Sequence, residues 1–286
     1  MAEALRTLET AWESPGGECY IEALEVWRHA RELSVGFYYR WVWPRDELGR
    51  ELKNHRWLEG RRAWRKFARN AIKHKSHVVT LENGKRKRMR YDSEGQVEDA
   101  VKAGLLSSLE YAAWKAVEPE YSPVVETIWI CQALLEEVAT RVRAAPVPAL
   151  VWVEHEAFGL ALAKLTGWPF FAEGVEQATI LGQAGKTVIL SSHSHKTGKN
   201  LQPWHYNVIV SSPPSGADWE QLIGRTHREG QRAAMVLCDV YLHTTPLKDG
   251  FTKAMLEARF LEQTLGQEQK LLVAERTFNV EGFKNG

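Results

Sequence analysis

The strongest constraint on the fold is an alternation of short apolar runs with helical segments that begins near residue 149. Residues 149–153 form a continuous apolar run, which is typical of a strand buried on both faces, and residues 156–165 have the periodicity of a helix. Four more runs follow, at residues 169–172, 186–190, 207–210 and 235–241. Because strands that alternate with helices pair in parallel, we predict an α/β fold whose parallel sheet is flanked by helices.

The chain before this alternation predicts helices. Helical patterns occupy residues 21–33, 93–106, 109–117 and 124–143, and an aromatic segment fills residues 35–43. Two prolines, Pro146 and Pro148, then mark a short linker. We therefore predict a helical N-terminal part over residues 1–145, an α/β lobe over 146–245, and a helical tail over 246–286 that breaks near Gly266.

A basic segment at residues 45–90 lies inside the helical part. It holds 16 Lys and Arg against 5 Asp and Glu, so it carries +11 while the whole chain carries +1. Residues 51–74 predict a helix, and residues 78–91 predict a hairpin that turns at Asn83-Gly84. Such a cluster suits nucleic-acid phosphates, and we select Arg86, Arg88 and Arg90 as DNA contacts. A solvated surface that faces an acidic partner, or a nuclear localisation signal, would give the same pattern.

Small polar residues and a glycine follow the run at 186–190. Hydroxyl groups and glycine at the end of a strand suit contacts to phosphate or ribose, so we expect such contacts along residues 191–202. His193 and His195 stand two apart, but no Cys or Asp at ligand spacing accompanies them, and no metal site is predicted.

The chemically most specific stretch is residues 221–231, which read Q-x-x-G-R-x-x-R-x-G-Q. Arg225 and Arg228 are three residues apart, so on a helix they would point from one face. Paired guanidinium groups grip phosphate oxygens, because their planar forks donate two hydrogen bonds each and keep their charge. This string therefore indicates a phosphoryl-transfer site, although an isolated pair of this kind is more often an exposed basic helix end.

These motifs resemble those of superfamily 2 helicases in their Snf2-like form, most closely the bacteriophage-encoded ones. Residues 221–231 are similar to motif VI, the Gly198-x-Asn200-Leu201 string to motif V, and residues 149–155 to motif IV. The resemblance is specific over about residues 145–260 and looser before them. This chain departs from motif V by carrying His193, His195 and Lys196 where glycine and alanine are usual, which puts the detailed DNA contacts in doubt.

The resemblance implies a RecA-like second lobe of an ATP-driven DNA helicase or translocase. It also implies that this motor acts in bacteriophage DNA replication. In such a lobe Arg225, Arg228 and Gln221 act in catalysis, and Gly198, Asn200 and Gly224 contact the nucleotide. The residues implied to contact DNA are Ser191, Ser192, Lys196 and Thr197, besides Arg86, Arg88 and Arg90. ATP and Mg²⁺ would be held mainly by a first lobe.

A phosphate loop is not found in this sequence. The string Gly182-Gln-Ala-Gly185-Lys186-Thr187 looks like the end of one, but Ile180 stands at the position of the first glycine, and the lysine begins a strand instead of a helix. We therefore expect a separately encoded partner chain to carry the Walker A and B segments of the first lobe. The alternative is a non-catalytic DNA-binding adaptor that uses the lobe as a scaffold.

The remaining composition bears on location. The chain has three widely spaced cysteines, which argues against a disulfide framework and for a reducing compartment. Its start is not a signal peptide, and no apolar run reaches membrane length. We expect a cytoplasmic protein, in the host cytoplasm if a phage encodes it, and no membrane partner.

Overall fold

A computed structural model describes residues 1–73, 77–80, 86–91, 93–196 and 198–277, and it describes only the backbone of residues 77–80 and 86–88. The chain forms two compact units. The first unit holds Met1–Leu33 and Phe37–Ile130, and the second holds Ser34–Gly36 and the chain from Cys131 onward.

Within its described residues, the first unit contains five helices, four strands and one 3-10 turn. In chain order they are α1 (Ala2–Ala11), α2 (Ala23–Ser34), β1 (Phe37–Val42), α3 (His55–Lys73), β2 (His77–Thr80), β3 (Arg86–Met89), α4 (Glu94–Lys102), α5 (Leu109–Val117), the 3-10 turn Glu118–Glu120 and β4 (Val124–Trp129).

Helix α3 is the centre of this unit. It begins after Asn54, whose side-chain oxygen accepts a hydrogen bond from the backbone N–H of Trp57 at 3.0 Å and so caps the first turn. Its inner face buries Trp57 and Trp64 against α4 and α5. The indole of Trp57 also donates to the carbonyl of Glu118 at 3.2 Å. The tryptophans of this segment are therefore core residues.

The predicted helix over residues 124–143 is wrong in its first third. Residues 124–129 form β4, which pairs antiparallel with β1 from Phe37 opposite Trp129 to Val42 opposite Val124. The helix starts only at Ala133. The physical reason is the Val-Val-Glu-Thr-Ile-Trp sequence, because β-branched and aromatic side chains fit a pleated surface better than a helix.

The predicted hairpin in the basic segment is confirmed. Strand β2 pairs antiparallel with β3, from His77 opposite Met89 to Thr80 opposite Arg86. The Asn83-Gly84 turn lies outside the described residues.

The second unit contains the strands and helices predicted for the α/β part, together with helix α6, which precedes the predicted linker. Its elements are α6 (Ala133–Arg143), β5 (Leu150–Val153), α7 (Glu156–Thr166), β6 (Phe170–Phe171), α8 (Gln177–Leu181), β7 (Val188–Ser191), α9 (Ser192–His195), β8 (Tyr206–Ile209), α10 (Gly216–Ile223), β9 (Leu237–Val240), α11 (Thr245–Leu265) and α12 (Lys270–Val273). The five strands form one sheet in the order β6-β7-β5-β8-β9, and every neighbouring pair is parallel. The predicted fold class, a parallel sheet flanked by helices, is confirmed and is consistent with a RecA-like fold.

The sheet is buried on both faces. All four residues of β5 are at most 1% exposed. Leu150 and Trp152 share one core with residues of α10, α11 and α12, while α7 packs against β5, β6 and β7. Gly216 lets α10 approach α11 closely, since a Cβ there would lie 2.8 Å from the backbone nitrogen of Ala258. The C-terminal helical segment breaks at Gly266, as predicted, with φ at 65°.

No helix in the described part of the chain combines the length and the apolar character that crossing a bilayer requires.

Candidate functional site

Apart from the arginines of the basic segment, the residues predicted to bind ligands lie on two segments of the second unit. The first segment leaves β7 at Ser191 and runs through α9 to Trp204, just before β8. The second leaves α10 at Gly224 and runs to Gln231, ahead of β9. We call residues 198–204 the entry loop and residues 224–231 the arginine loop.

The arginine loop is not helical, so the expectation of two arginines on one helix face is wrong. Helix α10 ends at Ile223, and Gly224 caps it with an N–H that bonds the carbonyl of Glu220. Arg225 and Thr226 continue in turns, with their N–H groups bonded to the carbonyls of Leu222 and Ile223. The two guanidinium groups are consequently free to differ in environment.

Arg225 is half-buried, and its guanidinium group bonds to backbone carbonyls of this chain. Its Nη1 donates to the carbonyl of Lys199 at 2.8 Å, and its Nε donates to the carbonyl of Gln221 at 3.0 Å. Burial and the charge of Arg228 lower the pKa of Arg225. The side chain therefore ties the arginine loop to the entry loop.

Arg228 is the exposed member of the pair. Within the described residues, no hydrogen bond or ion pair is found for its guanidinium group. Its position is fixed by the backbone, since its carbonyl accepts the N–H of Gln231 at 3.1 Å. Arg228 is thus exposed to solvent on a loop that is held by hydrogen bonds of Arg225 before it and of Gln231 after it. Gln221, the third predicted catalytic residue, is exposed on the last turn of α10.

Two glutamines join the loops reciprocally. Gln231 Nε2 lies 3.1 Å from the carbonyls of Gln202 and Trp204 and 2.9 Å from that of Thr226, and its Oε1 accepts the N–H of Ala233. In return, the side-chain amide of Gln202 donates to the carbonyl of Glu229. Side chains of each loop therefore satisfy backbone groups of the other.

The predicted nucleotide contacts of the entry loop have structural uses. Asn200 exchanges hydrogen bonds with Gln202, and its backbone N–H donates to Gln177 Oε1 at 2.9 Å. Gly198 has φ at 71°, a conformation that side-chain-bearing residues rarely adopt, and it is exposed. Gly224 is the helix cap described above. These residues shape the loop.

A buried polar chain connects the sheet to the arginine loop. Asn207, in β8, accepts the indole N–H of Trp152 at 3.0 Å and donates to the hydroxyl of Thr226 at 3.0 Å. It also lies 3.5 Å from the carbonyl of Leu237, the first residue of β9. The arginine loop thus lies beside the amino-terminal ends of β8 and β9, whereas Ser191 lies at the carboxyl end of β7.

The predicted DNA contacts around α9 are partly engaged. Ser191 and Ser192 are half-buried, and Lys196 forms an ion pair with Asp218 of α10 at 2.9 Å. Thr197 lies outside the described residues. In the basic segment Arg90 is exposed, while the side chains of Arg86 and Arg88 lie outside the described part of the chain.

His195 anchors α9 to the sheet. It is 1% exposed, and its Nε2 lies 2.7 Å from the carbonyl of Ala172 and 3.1 Å from that of Phe171, so Nε2 carries the proton. Burial first, and then the charge of Lys199, lower the pKa of His195. Among the described residues no group of three or more His, Cys, Asp or Glu side chains could hold a metal ion.

The glycine-lysine string at residues 182–187 is a turn before a strand, as the sequence indicates. Gly185 has φ at 84°, and Thr187 leads into β7 with its hydroxyl accepting the N–H of Ala149 at 3.1 Å. The string therefore has the opposite order from a phosphate loop, which precedes a helix.

Sequence reasoning missed the roles of Gln202, Asn207 and Asp218. Asn207 carried a usable signal, because an amide inside the apolar run Tyr206–Val210 must find partners when buried. Gln202 and Asp218 carried no such signal, because their partners are distant in the sequence. Gln202 bonds to the carbonyl of Glu229, and Asp218 pairs with Lys196, which follows α9.

Comparisons with known proteins return helicase structures at low similarity. No family model and no curated protein matches the chain. The C-terminal part of the Fun30 ATPase domain matches 93% of this chain and 91% of its own at 12% identity and a TM-score of 0.40. Mycobacterium smegmatis helicase Lhr, solved with ssDNA and AMP-PNP, matches 48% of this chain at 16% identity and a TM-score of 0.34. Domain 2 of the DEAD-box helicase Mss116p, solved with an RNA duplex, matches 50% at 15% identity and a TM-score of 0.30.

Two of these matched chains are much longer than the part that this chain covers. The chain spans 19% of the Lhr chain and 64% of the Mss116p chain. The parallel α/β class therefore rests on the sheet of this chain.

Proposed function

We propose that this chain is the second motor lobe of an ATP-dependent, Snf2-like DNA helicase or translocase. In this proposal Arg228 is the arginine finger, Arg225 and Gln221 build its loop, and a first lobe supplied by a separate chain holds most of the nucleotide. The observation that carries the proposal is the pairing of an exposed Arg228 with a loop locked by Arg225, Gln231 and Gln202.

The chemistry follows from where charge develops. In phosphoryl transfer, negative charge spreads over the oxygens of the transferred group, and a fixed cation stabilises it without further reorganisation. The arginine loop supplies such a cation, since Arg228 is held through its backbone while its guanidinium group faces solvent. ATP, with Mg²⁺, supplies the transferred phosphate.

The residues present fit a phosphate group better than a metal ion. Asp218, the acidic residue near the start of α10, is already paired with Lys196. The turn at Gly185-Lys186 precedes a strand and offers no cradle of helix N–H groups. We assign Mg²⁺ and most phosphate contacts to the first lobe.

The proposed DNA contacts in the second unit lie at the carboxyl end of β7, whereas the arginine loop lies beside the amino-terminal ends of β8 and β9. Ser191 ends β7, Ser192, Lys196 and Thr197 follow it in the sequence, and Arg86, Arg88 and Arg90 belong to the basic hairpin. Polar side chains at the carboxyl end of a parallel sheet suit sequence-independent phosphate contacts. The segment from Lys196 to Gln202 would then connect the DNA contacts with the arginine loop.

One observation favours the adaptor as a second candidate. Arg225 and Asn200, two residues of the resembled motifs, already have protein partners, as a lobe kept as a scaffold would have. The adaptor would bind DNA with or without nucleotide and would not need Arg228.

Hydrolysis assays separate the two candidates. The chain alone should hydrolyse ATP no faster than a blank, and a matching Snf2-type first lobe should restore DNA-stimulated turnover. A chain that turns over ATP strongly by itself would refute the division into lobes. If no first lobe gives turnover although DNA is bound, the adaptor is favoured.

A further inference from the structure

The cations of helix α3 are divided between two faces with different surroundings. On the inner face Arg65 is 5% exposed, and it donates to Glu25 while lying 3.7 Å from both Glu18 and Glu94. Arg61 donates to the same Glu18 at 2.9 Å. Both inner arginines are therefore matched by carboxylates of their own unit, and they hold α3 in place.

The outer face of α3 is a polar stripe, here called the α3 stripe. At about 100° per residue its members fall within about 80° of arc. All of them are exposed, and they are His55, Glu59, Arg62, Lys66, Asn70 and Lys73. Three are permanent cations and one is an acid.

In the described part of the chain, the three cations of the stripe lack a carboxylate partner. Among the described residues no ion pair joins Arg62, Lys66 or Lys73 to an acid. Arg62 donates to the carbonyl of Gly17 at 3.3 Å, and the ammonium group of Lys73 lies 5.5 Å from the centre of the Trp12 ring. These contacts leave the positive charges unneutralised and facing solvent.

We propose that the α3 stripe binds the phosphate backbone of duplex DNA. Arg62 and Lys73 are eleven residues apart, about 16 Å along the helix, which matches about five base-pair rises of 3.4 Å. Long basic side chains spread over this length contact several phosphates of one duplex without reading bases. The inference rests on the proposed function only for the choice of DNA.

A lipid surface fits the stripe less well. A helix that lies in a membrane interface places apolar side chains in the acyl region, with its cations beside them. The apolar face of α3 is instead occupied inside the unit, where Trp57, Trp64 and Ala68 are at most 3% exposed. The exposed stripe therefore offers an anionic partner positive charge and no apolar surface.

The test removes the three stripe cations and compares a matched control. Variant one carries Arg62→Gln, Lys66→Gln and Lys73→Gln. The control carries Lys164→Gln, Lys253→Gln and Arg259→Gln, which removes the same charge from exposed positions on α7 and α11. Binding of a labelled blunt-ended duplex is measured by fluorescence anisotropy over a range of KCl concentrations, and circular dichroism verifies folding.

Variant one should bind the duplex about tenfold or more weakly at low salt, and its slope of log affinity against log salt should fall by about three. The control should keep a slope close to that of the wild type. Glu59→Gln should bind more tightly than the wild type, because it removes the acid of the stripe. A two-site variant, Arg62→Gln with Lys66→Gln, leaves Trp12 and Lys73 untouched and should lower the slope by about two.

Three results would overturn the proposal. The first is a wild-type chain that does not bind the duplex, and the second is equal salt slopes for variant one and the control. The third is a variant one that loses binding to vesicles containing phosphatidylserine and keeps its binding to the duplex. Failure of the motor proposal is distinguishable, because it would appear as absent ATP turnover with a first lobe while these DNA slopes still differ.

Discussion

Gln231 Nε2 lies 3.1 Å from the backbone carbonyl of Gln202, and the side-chain amide of Gln202 donates in turn to the backbone of the arginine loop. This exchange makes the entry loop and the arginine loop a single hydrogen-bonded body. Because Arg228 belongs to that body, its placement depends on the half-buried side chains of Gln202 and Gln231.

The first prediction concerns Gln231. Replacement by Ala removes the two N–H groups that the amide shares among the carbonyls of Gln202, Trp204 and Thr226, and a partly buried carbonyl that loses its donor costs free energy. We expect Gln231→Ala to lower the free energy of unfolding by about 1–3 kcal/mol in urea titrations. Gln263→Ala, at an exposed position of α11, is the control and should change it by less than about 0.5 kcal/mol. Equal effects of the two variants would remove Gln231 from its assigned role.

The second prediction concerns pH. Burial lowers the pKa of His195 below its ordinary value of about 6.5, so the folded chain keeps the imidazole neutral while the unfolded chain takes up a proton. Stability should therefore fall as pH decreases through about 6.5, and level off below the folded pKa.

Urea titrations between pH 5 and pH 8 on matched variants test this assignment. In His195→Gln this part of the pH dependence should disappear, because glutamine has no titrating proton. His193→Gln, at an exposed neighbouring position, should keep it. A wild-type profile that persists in His195→Gln would assign the effect elsewhere.

The third prediction uses the ion pair between Lys196 and Asp218. The carboxylate at 2.9 Å competes with DNA phosphates for the ammonium group. Asp218→Asn should therefore strengthen DNA binding and steepen its salt dependence by up to about one unit of slope. Asp249→Asn on α11 removes the same charge without this partner and serves as control. If Asp218→Asn weakens binding, Lys196 is not a DNA contact.

The fourth prediction concerns the basic hairpin. Replacing Arg86, Arg88 and Arg90 by Glu should weaken DNA binding equally for all sequences and flatten its salt dependence, because phosphate contacts carry no sequence information. Anisotropy with two duplexes of unrelated sequence measures both properties. An unchanged salt slope would mean that these arginines face something other than nucleic acid.

Sequence periodicity predicted the second unit well because its signals are local. Each strand from β5 to β9 overlaps the short, mainly apolar run predicted for it, and helix α7 lies within one residue of its predicted bounds. The antiparallel pairing of β1 with β4 joins residues that are distant in sequence, such as Arg40 and Glu126, which are 86 positions apart, and no periodicity indicates such a pairing.

The candidate site was predictable in residue types and not in geometry. The motif string pointed to Arg225 and Arg228 together. Helix α10 ends before them, however, and Arg225 is half-buried and bonded to the entry loop while Arg228 is exposed. That division depends on where the carbonyls of Lys199 and Gln221 lie, which only the folded chain determines.

The most direct test of the motor proposal is steady-state ATP hydrolysis by the Arg228→Ala chain combined with a first lobe, measured beside its nucleotide affinity. An arginine finger contributes about 10³ to 10⁵ in turnover and acts mainly in the transition state. We expect turnover to fall by about that factor in Arg228→Ala and also in Arg228→Lys, which lacks the paired donor geometry, while nucleotide and DNA affinity change little. Near-normal turnover in Arg228→Ala would contradict the account and favour the adaptor.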